Sequence, residues 1–506
     1  MVVARTWGAV VDGVGGVPVL VEVDVAQGLP SVGVIGLPDT SVGESRWRAR
    51  SAIGSVGATW PVGRVTVGLS PADLPKQGSA LDLAIAVAIL LATAQVPDVS
   101  PDGLVLAQGV LIGELGLDGS VRPVSGALSA GLAAHRQGLA WAAVAADSAP
   151  QLACIPGLTV IGVSHLAELV GVLREGGAVV TAAQPARVAE WAGPDLADVR
   201  GHAYGRFALE VAAAGGHHLA MIGRPGVGKT LLATCLAGLL PDLGPESALE
   251  VAAIRSAAGE DVSAIDCRPP FVAPHHRSSA ASLIGTSRGR RVIAGAVTRA
   301  HRGLLFLDEA PEFARDCLEA LRQPLESGSI HVLRVGARVV LPARIQLVLA
   351  ANPCPCGLAG SRDDDCRCTP LSRRRYRERL SGPLMDRVDI RLDLGLPTSQ
   401  EGSGDTTESA RARIVRARER AGARLRGMPW AINAAIPGAQ LRRSWPLAQD
   451  GALALATAEQ GGLSARGADQ VARVAWTLAD LDGVPQPGRD QVMTALGLRG
   501  FIGSAA

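Results

Sequence analysis

The chain has 506 residues, 48% of them hydrophobic and 19% charged, which is enough for two or three cores and excludes a disordered, solvating polypeptide. A formal net charge of +2 excludes a uniformly polybasic nucleic-acid binder, so any phosphate-binding surface has to be local. The first residues, MVVARTWGAVVDG, carry no secretory pattern, and the longest apolar run, Leu83 to Ala92, is too short to span a bilayer; a cytoplasmic protein with eight reduced cysteines and no membrane partner is expected.

Residues 1–175 alternate apolar and polar positions in short runs, Val17 to Val23 and Arg64 to Leu69, ahead of a strongly apolar helix from about Ala80. This is an α+β pattern. Within it, Asp73-Leu-Pro-Lys76-Gln-Gly-Ser79-Ala80 resembles the serine-bearing turn of the Lon protease domain. Gly113 to Pro123, then Gly131 to Gly138, resemble that domain's later strand pair and helix. A Ser–Lys dyad needs a nearby lysine to take the serine proton. The resemblance puts Leu128 where that lysine would stand, so a Lon-like scaffold without peptidase activity is expected. Residues 176–194, rich in Gly, Ala and Pro, read as a linker.

From residue 195 to about 400 the texture changes to buried-strand runs separated by helical segments, the signature of a mostly parallel sheet covered on both faces. Leu219 to Gly223 is strand-like and runs into Gly223, Arg224, Pro225, Gly226, Val227, Gly228, Lys229 and Thr230, a full G-x-x-x-x-G-K-[ST] match opening a helix. Such a loop turns main-chain N–H groups toward phosphate oxygens at a helix N-terminus. Lys229 is then the ligand of the β- and γ-phosphates and Thr230 a ligand of Mg²⁺. Lysine is scarce here: Lys76 and Lys229 are the only two among 49 basic residues. Its retention at 229 fits a position that needs a compact ammonium.

Leu304 to Leu307 is a second buried strand, ending in Asp308 and Glu309. Asp308 is predicted to hold Mg²⁺ and Glu309 to polarise the attacking water. A third strand, Ile345 to Ala351, ends at Asn352. Cys354, Cys356, Cys366 and Cys368 follow it as two C-x-C pairs, readable as one tetrahedral Zn²⁺ site or as free thiols in a loop. Basic residues gather at Ser287 to Arg291, at Arg373 to Arg379, and at Arg334 and Arg338, the tip of a predicted hairpin. In so arginine-rich a chain each cluster is either a DNA contact or a solvated or intersubunit face. Residues 401–506 hold helical stretches, Thr407 to Arg426 and Gly467 to Asp482, and no strand-like run.

These motifs in this order, with Pro269-Pro-Phe-Val-Ala-Pro-His-His276, LLFLDEAPEF, Ala351-Asn-Pro-Cys-Pro-Cys-Gly357 and Leu380-Ser-Gly-Pro-Leu-Met-Asp-Arg387, resemble the magnesium-chelatase-like AAA+ ATPases of the ComM/YifB family. The resemblance implies an α/β AAA+ P-loop module with a C-terminal helical lid, preceded by the Lon-like α+β domain. It implies ATP and Mg²⁺ as ligands and a homo-oligomeric ring, a hexamer. It matches Asn352 to the sensor-1 residue, Arg387 to the arginine finger, with Arg379 its nearest rival, and Arg466 to the lid's sensor-2 arginine. It further implies a DNA translocase in branch migration or natural transformation. The competing expectation is a chelatase-type or protein-remodelling ATPase that does not act on DNA.

Overall fold

The computed structural model describes residues 3–500 apart from 73, 183–190, 261, 263, 289, 290, 335, 336, 360–365, 381 and 396–403. The amino-terminal part carries β1 (Ala4–Asp12), β2 (Gly15–Ala26), β3 (Ser31–Ile35), β4 (Arg64–Ser70), β5 (Gly109–Ile112), the short pair β6 (Glu114–Leu115) and β7 (Val121–Arg122), β8 (Trp141–Ala145) and β9 (Thr159–Val163). Seven of these form one sheet in the order β3-β4-β2-β1-β5-β8-β9. The alternating runs read from sequence are β2 and β4, paired antiparallel. The apolar helix is Asp82–Ala92, and it is buried from Asp82 to Leu90. A helix apolar on every side belongs inside a core rather than on its surface. Its one charge, Asp82, is met there by Arg48 Nε at 2.6 Å, by the Ser45 hydroxyl and by the Leu115 N–H at 3.2 Å, as a buried carboxylate requires.

The stretch expected to be a linker is ordered at both described ends. Thr181 N–H donates to Val160 O at 2.8 Å, extending the edge of β9. Trp191 lies against Gly238 of a helix in the next unit, and the Arg268 guanidinium sits 5.7 Å from its ring centroid. Residues 183–190 lie outside the described residues.

The central part contains β10 (Leu219–Gly223), β11 (Phe271–Val272), the hairpin β12 (Thr286–Arg288) and β13 (Arg291–Ile293), β14 (Leu304–Leu307), the hairpin β15 (Ser329–Arg334) and β16 (Ala337–Pro342), β17 (Gln346–Ala351) and β18 (Ile390–Leu394). Five of them make a parallel sheet ordered β11-β14-β17-β10-β18. Alternate residues serve opposite faces, as strand geometry dictates. Leu304, Phe306 and Val348 join one core with Leu219, Met221, Ile390 and Leu392, and the helices Ala203–Gly215, Lys229–Leu239, Thr407–Arg424 and Ala465–Asp482 pack there. Leu305, Leu307, Leu347 and Leu349 join the other, closed by Ile330, Val332, Val339 and Leu341 of the second hairpin. After residue 403 the described residues form helices, with no strand among them. This is the expected mixed α/β architecture: a parallel-strand module with a helical carboxy-terminal part and a separate amino-terminal sheet.

The two sheets are packed into one body. Ser129 Oγ lies 2.8 Å from Ala253 O and 3.0 Å from Val14 O, its one hydroxyl proton shared between the two carbonyls. Ala127, Leu128 and Ala130 share a core with Ala248, Leu249, Ala252 and Ala253 of the helix Pro245–Ala257.

Candidate nucleotide site

Three parallel neighbours, β14, β17 and β10, release their chains at the same end of the sheet, which brings together residues far apart in sequence. β10 ends at Gly223, where a Cβ would lie 2.9 Å from Leu394 O of the adjacent strand. Gly226 (φ 80°) and Gly228 (φ 89°) then take left-handed conformations that curl the loop. Lys229 opens the helix Lys229–Leu239. Its ammonium donates to Gly223 O at 2.7 Å, to Arg224 O at 3.0 Å and to Asn352 Oδ1 at 3.0 Å. Burial lowers its pKa, opposed by the negative charges of Asp308 and Glu309.

Thr230 Oγ1 donates to Asp308 Oδ2 at 2.9 Å, so the two residues with oxygen ligands suited to a hard divalent cation already face each other. Asp308 Oδ1 accepts the Glu309 N–H at 2.9 Å. Glu309 has φ 50°, a costly conformation for a non-glycine residue of the kind found where a side chain must be aimed. Its Oε2 is 3.1 Å from Nδ1 of His276. The His275-His276 pair stands out in the sequence, but nothing there identifies Glu309 as the partner of His276. Tyr376 is buried on the helix Pro370–Glu378. Burial and the Glu312 carboxylate push its hydroxyl up to about 12, against the pull of the Asn352 main-chain N–H.

Arg387 lies at the other end of the sheet. In the parallel β10–β18 pair Leu219 faces Ile390 and Gly223 faces Leu394. Arg387 precedes Ile390, so it sits beside the amino ends of the strands, whereas the glycine loop leaves the carboxyl ends. Its guanidinium donates to Glu326, and Arg466 Nη2 donates to the same Glu326 oxygen at 3.3 Å. The two arginines that the resemblance gives separate roles therefore share one carboxylate. Gln470 Nε2, one turn along the Arg466 helix, donates to Asp386 O at 3.0 Å. Arg379 is engaged elsewhere, with Glu312 Oε2 at 3.2 Å and Pro311 O at 3.1 Å. No sequence signal marks Glu326.

The four cysteines converge: their sulfurs all lie within 4.8 Å of one another. The Leu358 N–H, and then the Cys354 thiol, bring the Cys356 pKa down to about 6. Arg338 is exposed on β16 and its Nε donates to His331 Nδ1 at 2.9 Å. The side chain of Arg334, at the end of β15, lies outside what is described, as do residues 289 and 290 of the first basic cluster. Ser287 Oγ donates to Leu333 O at 3.3 Å, so the two hairpins stand side by side. In the amino-terminal sheet the Ser79 hydroxyl donates to Glu114, while the Lys76 ammonium, on a buried side chain, donates to Pro71 O. Leu128 is buried.

Three family models match the chain: "Magnesium chelatase, subunit ChlI" over residues 195–401, "Subunit ChlI of Mg-chelatase" over 21–148, and its C-terminal counterpart over 404–499. An uncharacterised protein of Mycobacterium tuberculosis is 46% identical over 99% of each chain. YifB of Escherichia coli is 39% identical over 93% of this chain and 92% of its own. The competence protein ComM of Haemophilus influenzae is 35% identical over 96% of this chain and 95% of its own. No described helix is long and apolar enough to cross a membrane.

Proposed function

This chain belongs to the magnesium-chelatase-like AAA+ family of ComM and YifB, and from that premise we propose that it is an ATP-hydrolysing ring motor acting on DNA. AAA+ members of the family are ATPases and assemble as oligomers. The observation that carries the ATPase reading is the convergence of Lys229, Thr230, Asp308, Glu309 and Asn352 on one glycine loop.

In this reading Lys229 and the loop N–H groups of Gly223 to Thr230 hold the β- and γ-phosphates of ATP, and Asn352 fixes the ammonium's position. Thr230 and Asp308 would hold Mg²⁺, which when bound would neutralise phosphate charge. Glu309 takes the proton of the attacking water as its oxygen bonds to the γ-phosphorus and the bond to the leaving ADP oxygen breaks. His276 keeps the Glu309 carboxylate aimed. Arg387, at the sheet end away from its own loop, is delivered to a neighbour's γ-phosphate, and Arg466 goes with it because both sit on Glu326. A site completed by the next copy implies a ring, which we take to be a hexamer, and guanidinium charge supplied in trans stabilises the transferring phosphoryl group.

The DNA assignment is supported by the paired hairpins, with Arg338 exposed on one and Arg334 at its tip, and by the competence role in the name of the Haemophilus influenzae relative. Branch migration during recombination or natural transformation in the cytoplasm is the activity we assign. Residues 1–175 serve as a Lon-like scaffold, without peptidase activity because the buried Leu128 stands where the Lon dyad has its lysine. Residues 176–194 connect it to an ATPase core over 195–400 and a lid over 401–506. Zn²⁺ on the four cysteines is the further cofactor. A second reading, a remodelling ATPase of the chelatase type, is favoured by the ChlI family models. Turnover with and without branched or single-stranded DNA separates the two. The motor reading expects stimulation that Arg334→Ala with Arg338→Ala removes while basal turnover stays; indifference to DNA of every form supports the second.

A further inference from the structure

Cys354 and Cys356 follow Asn352 by two and four residues, and Cys366 and Cys368 precede the helix Pro370–Glu378. We propose that these thiolates bind Zn²⁺ as a positioning centre that holds Asn352 and the P-loop in register, so that metal occupancy sets nucleotide affinity. The proposal rests on the nucleotide-site reading above and adds to it a control point outside the phosphate pocket.

The geometry suits a metal. The Cys354–Cys356, Cys354–Cys366 and Cys356–Cys366 sulfurs are 3.4, 3.6 and 3.5 Å apart. A tetrahedral Zn–S₄ site with bonds of about 2.3 Å has sulfur–sulfur edges of about 3.8 Å, whereas a disulfide would need about 2 Å. The donor set is four sulfurs and no carboxylate, which selects a thiophilic, tetrahedral ion. Ala359 N–H donates to Cys354 Sγ at 3.3 Å. Main-chain donors of this kind orient thiolate ligands from outside the coordination sphere. Binding releases the thiol protons to solvent as each sulfur becomes a ligand.

The centre is joined to the nucleotide site on two sides. Gly357, between Cys356 and Leu358, has φ 79°, and a Cβ on it would lie 2.6 Å from Pro225 Cγ and Cδ. The cysteine turn therefore leans directly on the second residue after Gly223. On the other side, the chain leaving Cys368 enters the helix that carries Tyr376 back to the Asn352 main chain. Strand β17, Asn352, the cysteine turn, the helix and Tyr376 form a loop that returns to its own start. A metal bound to both cysteine pairs fastens that loop, and Asn352, which accepts from Lys229, stands at its junction. Without the metal, the two cysteine pairs are joined to each other only by weak contacts between their sulfurs.

The test uses the full chain, purified without chelator. Native mass spectrometry should show about one Zn²⁺ per chain. Stripping the metal should weaken binding of a fluorescent ATP analogue by about tenfold or more and speed amide exchange over residues 346–359, with both restored by added Zn²⁺. Because the metal is removed and restored in the unaltered chain, the coupling is tested even if cysteine variants fail to fold. Protein that holds no metal, or holds iron instead, overturns the zinc centre. Zinc whose removal leaves both exchange and affinity unchanged overturns the coupling. In either case, analogue binding that Lys229→Ala abolishes leaves the nucleotide site standing; analogue binding absent even in zinc-loaded protein is the failure of that underlying reading instead.

Discussion

Lys229 donates a 3.0 Å hydrogen bond to Asn352 Oδ1 across 123 residues of sequence. The bond joins the first residue of the helix after the glycine loop to the first residue beyond β17, and the two meet because β10 and β17 are parallel neighbours. Lysine at 229 does two jobs: it braces the loop's own carbonyls and it reads the position of the adjacent strand end.

Removing the two ends of that bond should therefore have different effects. Lys229→Ala is expected to abolish nucleotide binding, measured by titration with a fluorescent analogue. Asn352→Ala should leave binding within a few-fold and lower kcat by about 100-fold, the size seen when one preorganised polar group is lost from a transition-state site. Equal losses of affinity in both variants would contradict the arrangement.

Glu309 and His276 form the next pair, 3.1 Å apart. Glu309→Gln should bind ATP and hydrolyse it about 100-fold or more slowly, as loss of a general base does. His276→Ala leaves the carboxylate in place but unaimed. Its kcat should fall by about tenfold, less than the loss from removing the base itself. A His276→Ala enzyme with normal turnover would reduce the contact to packing.

Glu326 binds Arg387 and Arg466 together, and the proposed delivery to a neighbour needs both guanidiniums on one face. Glu326→Ala should leave analogue affinity of the dilute protomer unchanged and alter the protein-concentration dependence of turnover. Arg387→Ala and Arg466→Ala should each lower turnover only at concentrations where the protein self-associates. Loss of nucleotide affinity in dilute Arg466→Ala would instead place that arginine on its own subunit's phosphates.

Glu250 gives a pH signature. His301 Nε2 lies 3.2 Å from its Oε2 and Arg302 Nε 3.0 Å away. The close contact with His301, offset in part by burial and aided by the Arg302 charge, holds the Glu250 carboxyl down at about 2. A carboxyl whose folded value is depressed stabilises the fold above its unfolded value, about 4.3, and loses that contribution as pH falls toward 2. Urea titrations should show Glu250→Gln less stable than the parent at pH 7, with the difference closing between pH 4 and pH 2. A constant difference over that window would contradict the linkage.

The sequence carries the nucleotide loop, the acidic strand end and Asn352 because each is a short motif attached to a buried strand. Local pattern fixes both the strand and the residue that leaves its end. The predicted strands at 219, 304 and 345 correspond to β10, β14 and β17, and the hairpin about Arg334 and Arg338 to β15 and β16. Contacts made by tertiary placement alone are not legible in this way. Glu326 sits in a short helix, and its meeting with Arg387 and Arg466 depends on how the carboxy-terminal helices pack. The stretch after Gly176 reads as linker by composition, yet Thr181 pairs with β9 and Trp191 packs on Gly238. Glycine and alanine are compatible with an edge strand as well as with a tether, and neighbouring structure decides between them.

The central claim is that one subunit's glycine loop is completed by another subunit's arginine. Lys229→Ala and Arg387→Ala should each be inactive alone. Mixed under assembly conditions, they should recover part of the ATPase rate, because the intact loop of the Arg387→Ala chain can meet the intact Arg387 of the Lys229→Ala chain. A mixture that stays at the level of its components, in rings verified to contain both, would contradict the account.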